Sequence, residues 1–286
     1  ADKFTRYYPN TYSIVKFLYI CGIIWENRKD EWKYLPAFLS NLFIRIGLNP
    51  SAMMIDWNES DKKFGSLGSI INEVYSILYL STHEVSINKV KLILSSFQKR
   101  VWDALDTHKF IGVSAPTSAG KSFILINKII DIFNEIESGV IIYIVPTISL
   151  INQVSRDFRK YSFEYGINDV YISQTISDRT STKFNKVIHV LTQERMLAAI
   201  SHEESNLENI KLVVVDEIQN IEKVSGEEEE RAKVLLDVVQ DLRYNVKTEK
   251  ILISGPRLKN LDYILKKWFG NEGLCLIDEI PPVLNI

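Results

Sequence analysis

The sequence predicts an α/β domain built on a mostly parallel sheet, preceded by an all-α N-terminal domain. Three observations carry that expectation. Short Val/Ile-rich runs alternate with helical stretches from about residue 97, a loop of small residues joins the first run to a helix, and residues 1–95 show helical periodicity instead.

In the N-terminal stretch Leu35, Phe38, Leu39, Leu42, Phe43 and Ile46 recur at three- and four-residue spacing, as do Ile70, Ile71, Val74, Tyr75 and Leu78. Tyr12 to Trp25 is apolar nearly all round, the pattern of a helix buried between others. Pro50-Ser51 and residues 58–63 look like connecting loops. With 11 Lys/Arg against 9 Asp/Glu up to residue 96, this region is close to neutral. It reads as a packing or accessory module, with a partner- or nucleic-acid-binding role as the functional alternative.

Farther along, Phe110–Val113, Val140–Val145, Val170–Ser173, Val187–Leu191, Leu212–Val215 and Ile251–Ile253 are apolar on both faces. Strands buried on both sides have that composition, and a parallel sheet covered by helices buries them so. Residues 122–134 and 228–242 have helical length and periodicity between them. The acidic run Glu227–Glu230 suits a first helical turn, where carboxylates meet the positive end of the helix. A doubly wound sheet binds ligands beyond the carboxyl ends of its strands.

Bulk properties exclude several classes. The chain has 286 residues, 46% hydrophobic, with a net charge of −2. No apolar run approaches the roughly 20 residues that span a bilayer, so a membrane role is not expected. Cys21 and Cys275 are too few for a disulfide framework or a metal cluster, and a reducing, cytoplasmic setting is the expectation. Nothing in the charge balance announces a polyanionic partner.

The first motif is Ser114-Ala115-Pro116-Thr117-Ser118-Ala119-Gly120-Lys121-Ser122, placed after a strand and at the start of a helix. Small residues let successive backbone N–H groups curl around a phosphate at the helix's positive end. Lys121 is placed to reach the β- and γ-phosphates of ATP, and the Ser122 hydroxyl to ligate Mg²⁺. Ala115 replaces the first Gly of the strict pattern. The second motif, Leu212 to Gln219, is an apolar strand ending in Asp216 and Glu217. There Asp216 suits Mg²⁺ and Glu217 suits activation of a water.

The order and wording of these segments resemble superfamily 2 helicases, the DEAD/DEAH-box-like group. Ala115 to Ser122 is similar to the first motif of their Ski-type branch, and Asp216-Glu217-Ile218-Gln219 resembles the Asp-Glu-x-His/Asp box, with Gln219 in the last place. Phe97-Gln98 resembles the element whose amide reads adenine. The resemblance implies a RecA-like P-loop domain over residues 96–286, with Pro116, Thr117, Ser118, Ala119, Gly120, Lys121 and Ser122 around the nucleotide. Val145-Pro146-Thr147 through Gln153 resembles the Pro-Thr-x-x-Leu-x-x-Gln strand-binding motif, and Thr192-Gln193-Glu194-Arg195 a second one. Such loops grip the phosphates of a single strand of DNA or RNA without reading its sequence. Ser254-Gly255-Pro256 stands where the family has Ser-Ala-Thr, so only Ser254 carries over to the coupling of hydrolysis with movement. Trp268-Phe269-Gly270 and Pro281 to Leu284 are similar to the junction with a second motor domain. The resemblance implies that the rest of a longer polypeptide supplies that domain. The readings left beside the helicase are a P-loop ATPase or kinase acting on other substrates, and a nucleotide-dependent scaffold.

Overall fold

The computed structural model describes residues 11–28, 31, 39, 78, 81–116, 119–176, 184–201, 208–218, 227–244, 248–256, 258 and 261–277. A helix, α1 (Thr11–Arg28), comes first, and an antiparallel hairpin of β1 (Glu84–Ile87) and β2 (Val90–Ile93) follows. The chain then alternates through α2 (Ser96–Thr107), β3 (Phe110–Ser114), α3 (Lys121–Glu135), β4 (Gly139–Val145), α4 (Ile148–Glu164) and β5 (Val170–Ser173). It continues with β6 (Lys186–Thr192), α5 (Gln193–Ser201), β7 (Ile210–Val215), α6 (Glu227–Tyr244), β8 (Ile251–Gly255), α7 (Leu261–Phe269) and β9 (Gly273–Ile277).

Strands β3 to β9 form one seven-stranded sheet in the order β5-β6-β4-β7-β8-β3-β9. Every neighbouring pair in it is parallel. Side chains alternate across it, as the pleat requires. Ile141, Tyr143 and Val145 of β4 pack with α2, α3 and α4, while Ile142 and Ile144 pack with α5, α6 and α7. Both faces are therefore covered, and each fully buried aliphatic side chain contributes about 1.5–3 kcal/mol. Gly112 lets α7 lie close to β3, since a Cβ there would sit 2.5 Å from Leu265 Cδ1.

Local signals start the helices. Ser95 caps α2 in a reciprocal box with Gln98, and Thr147 caps α4 by accepting from the Leu150 N–H. Lys128 of α3 fastens α2 to α3. Its buried ammonium lies 2.8 Å from Asp106 and 2.9 Å from Asp131, and 4.4 Å from the centre of the Trp102 ring.

Three expectations are corrected. The stretch read as helical to residue 96 contains the hairpin, whose two turn residues, Asn88 and Lys89, both have positive φ. Such a turn matches the strand twist, the Asn88 amide donates to the Tyr165 carbonyl, and Ile87 and Leu94 enter the core beneath α2–α4. Helix α1 exists, but Tyr19, Ile20 and Ile23 on it are exposed at 54, 52 and 43%, so it is not buried all round. Strand β9 was not expected; its half-buried residues form a strand because β3 offers an edge. Leu39 and Leu78 are in helical backbone. The rest of the periodic stretches 35–46 and 70–75, the loops at Pro50-Ser51 and 58–63, and Pro281 to Leu284 lie outside the described residues.

Among the described residues no helix is long and apolar enough to cross a membrane. Two stability predictions follow from the buried ionisable groups. Lys128→Ala strands the nearly buried Asp131 carboxylate, and urea unfolding should read a loss of about 3 kcal/mol. His189, buried in β6, donates through Nδ1 to the Thr175 carbonyl at 2.9 Å. Burial lowers its pKa, partly offset by that bond. The folded state therefore takes up a proton less readily than the unfolded one. Stability attributable to His189 is complete above about pH 6.5 and falls as the pH drops below it, by at most about 1.4 kcal/mol per pH unit. His189→Asn, which keeps a donor, should flatten the loss of stability between pH 7 and pH 5 in urea titrations.

Candidate functional site

The carboxyl ends of β3, β7 and β8 lie side by side and bring the two sequence motifs together. From β3 the chain turns through Ala115 and Pro116 into α3. The helix begins at Gly120, whose φ of 73° is left-handed and whose lack of a side chain leaves the first turn without a side-chain cap. Its leading N–H groups thus present a concentrated positive end to any anion. A Cβ at Gly120 would meet the Gln98 amide nitrogen at 2.6 Å.

Lys121 is 3% exposed. Its ammonium donates back to the carbonyls of Ala115, at 2.6 Å, and Pro116, at 3.1 Å. Burial lowers its pKa, and the charges of Asp216 and Glu217 oppose that shift. The lysine of one motif thus sits in the field of the two carboxylates of the other.

Asp216 is 6% exposed at the end of β7. Its Oδ2 accepts from the Tyr143 hydroxyl at 2.7 Å and its Oδ1 from the Glu217 N–H at 3.0 Å. Burial raises its pKa; the Tyr143 bond, and more weakly Ser254, counter the rise. Glu217 follows with a left-handed backbone, φ 59°. A non-glycine residue in that region is uncommon and is often found where function requires strain. Ser254 of β8 pairs with Val113 of β3 and is fully buried, with no close hydrogen-bond partner for its hydroxyl. Ser114 ties β3 to the segment after β8 by accepting from the Leu258 N–H at 2.8 Å.

The remaining expected residues sort by position. Gln98 belongs to the α2 capping box and donates to the Ala119 carbonyl at 3.3 Å, so its amide lies against the loop. Phe97 is buried in the core. Ser122 is exposed on the first turn of α3. Thr117, Ser118 and Gln219 lie outside the described residues. Pro146, Thr147, Thr192, Gln193 and Arg195 cluster because β4 pairs with β6, Val145 opposite Thr192. Thr147 and Gln153 are exposed, Thr192 and Gln193 buried. Thr192 accepts from the Arg195 N–H at 3.4 Å.

Two participants escaped the motif reading. Gln174, after β5, accepts from Arg195 Nη1 at 3.0 Å and donates to Asn152 of α4 at 3.2 Å, so the loop after β5 joins α4 to α5. Tyr143 sits inside a strand otherwise aliphatic. The usable signal was its hydroxyl, which needs a partner when buried.

Among the described residues no group of three or more His, Cys, Asp or Glu is placed to hold a metal ion. The donors at hand are the Ser122 hydroxyl and the Asp216 carboxylate. That oxygen set fits Mg²⁺, which keeps several waters and takes one or two carboxylates together with phosphate oxygens.

Comparison with known proteins adds the following. The sequence model of the DEAD/DEAH box helicase family matches residues 95–255, more than half of the chain. The uncharacterized helicase C28H8.3 of Caenorhabditis elegans is 28% identical over 214 residues, which cover 69% of this chain and 12% of that protein. Among solved structures, the DUF1998 helicase MrfA is similar with a TM-score of 0.51 at 18% identity, covering 65% of this chain and 30% of MrfA. MrfA bound to DNA is similar with a TM-score of 0.51 at 15% identity, covering 67% and 28%. These structures share the fold, and the chain spans about a third or less of each relative's length.

The loop geometry yields one prediction. Gly120→Ala combines a left-handed residue with a collision against Gln98, and urea unfolding should show a loss of about 1–2 kcal/mol.

Proposed function

The chain belongs to the DEAD/DEAH box helicase family, and on that premise we propose that it forms the ATP-hydrolysing half of a motor that moves along a nucleic-acid strand. The observation that carries the reading is the placing of buried Lys121, at an uncapped helix start after β3, and buried Asp216, after β7, at the carboxyl ends of strands that both flank β8. In a low-dielectric pocket such charges act far more strongly than in water.

In this reading the backbone N–H groups from Gly120 to Ser122 hold the β-phosphate of ATP, and Lys121 leaves the carbonyls of Ala115 and Pro116 to reach the γ-phosphate. Ser122 and Asp216 would hold Mg²⁺, which would supply neutralisation of phosphate charge. Glu217, turned by its left-handed backbone, orients the attacking water and takes its proton. The Gln98 amide, near the loop, senses the base or the loop's shape. Ser254 transmits the state of the site through β8. The strand's phosphates lie along Thr147, Gln174 and Arg195, which explains how a chain of net charge −2 grips a polyanion: the donors are local and neutral contacts share the task. That MrfA has been crystallised with DNA supports a nucleic-acid partner of this kind. A second RecA-like domain, supplied by the rest of a longer polypeptide, would close the cleft and add arginines worth about 10³–10⁵ in rate.

The test is Glu217→Gln in the full-length protein. Nucleic-acid-stimulated ATP turnover should fall at least about 100-fold, while binding of a fluorescent nucleotide persists. Turnover that survives the substitution removes Glu217 from the role. Turnover indifferent to any polynucleotide removes the helicase reading and leaves an ATPase.

A further inference from the structure

Strand β4 is aliphatic along its length except for Tyr143, which is fully buried. A phenylalanine would fill the same space without the cost of burying a hydroxyl. The hydroxyl has a definite address. Tyr143 lies opposite Val214 of β7, and two residues further Asp216 leaves the strand on the same face. The phenol donates to Asp216 Oδ2 at 2.7 Å. Its ring is held edge-on by Phe158, with centroids 5.7 Å apart at 79°. Since Oδ1 takes the Glu217 N–H, each carboxylate oxygen has one anchor and keeps lone-pair capacity for something else.

The phenol's single proton is committed to Asp216. That bond ties the middle of β4 to the residue at the end of β7.

We infer that Tyr143 is a positioning residue for Mg²⁺: it fixes the Asp216 carboxylate through Oδ2, so that the remaining lone pairs of that carboxylate are held ready for the metal. The inference rests on the ATP and Mg²⁺ reading above, and goes beyond it by assigning a task to a residue that touches neither ligand. Tyr143 holds the carboxylate donor and not the nucleotide, so it acts on metal requirement before it acts on anything else.

The experiment measures binding of a fluorescent ADP by the full-length protein, in EDTA and across a Mg²⁺ titration, for wild type, Tyr143→Phe, Asp216→Asn and the pair. Tyr143→Phe should bind nucleotide normally in EDTA and need about 10-fold more Mg²⁺ or higher to reach half of the metal-dependent gain. In the Asp216→Asn background the same change should add nothing, because the partner it acts through is already altered. An unchanged or lower Mg²⁺ requirement for Tyr143→Phe overturns the inference while leaving the nucleotide site standing. Absence of nucleotide binding by the wild type removes the site reading itself. Thermal melts guard against misfolding. Should Tyr143→Phe alone melt below the assay temperature, the paired variant decides. Melting and metal response equal to those of Asp216→Asn support the inference, and a further loss there marks Tyr143 as core packing and overturns it.

Discussion

A parallel sheet buried on both faces cannot hold chemistry in its middle, and that constraint organises this protein. Apolar side chains of β3 to β8 alternate between a core under α2, α3 and α4 and a core under α5, α6 and α7. A one-residue slip of any strand would exchange the two sets, so register is tightly specified. Polar groups are driven to the carboxyl ends, where strands give way to loops and helices begin. Neighbouring strands end together there, so residues far apart in sequence meet: Ala115 after β3, Asp216 after β7, Ser254 in β8 and Thr147 after β4.

The ends of the strands are also where burial is used electrically. Lys121 and Asp216 are both nearly inaccessible, and each has its charged form disfavoured by burial. The protein answers with specific partners: loop carbonyls for the ammonium, a phenol and a backbone N–H for the carboxylate. Buried charges kept this way are expensive to leave unpaired. Lys128, joined to Asp106 and Asp131 and lying beside the Trp102 ring, solves the same problem away from the site. It holds the helix carrying Gln98 against the helix carrying Lys121.

How much could be read in advance depended on the range of the cause. The six strands expected from apolar runs are all present, each within two residues of its expected limits, because burial on both faces leaves a compositional trace. The loop before Lys121 and the acid pair at Asp216 were legible for a related reason: a small-residue turn and two carboxylates after an apolar run are local patterns. The hairpin at 84–93 was missed because Asn88-Lys89 is a weak turn signal and its strands are four residues each. Strand β9 was missed because an edge strand takes its structure from its neighbour, and nothing within Gly273–Ile277 announces that β3 is available.

By itself the sequence determined the parallel α/β architecture and the positions of the small-residue loop before Lys121 and of the acid pair after β7, since each follows from residues within one or two turns of one another. Only the tertiary structure decided which strands neighbour which, that the Lys121 ammonium rests on its own loop in the field of Asp216, that Gln174 joins Arg195 to Asn152, and that Tyr143 answers to Asp216. Those facts rest on residues far apart in sequence, 73 positions for Tyr143 and Asp216. Strand order brings such pairs together; the chain's local preferences carry no record of it.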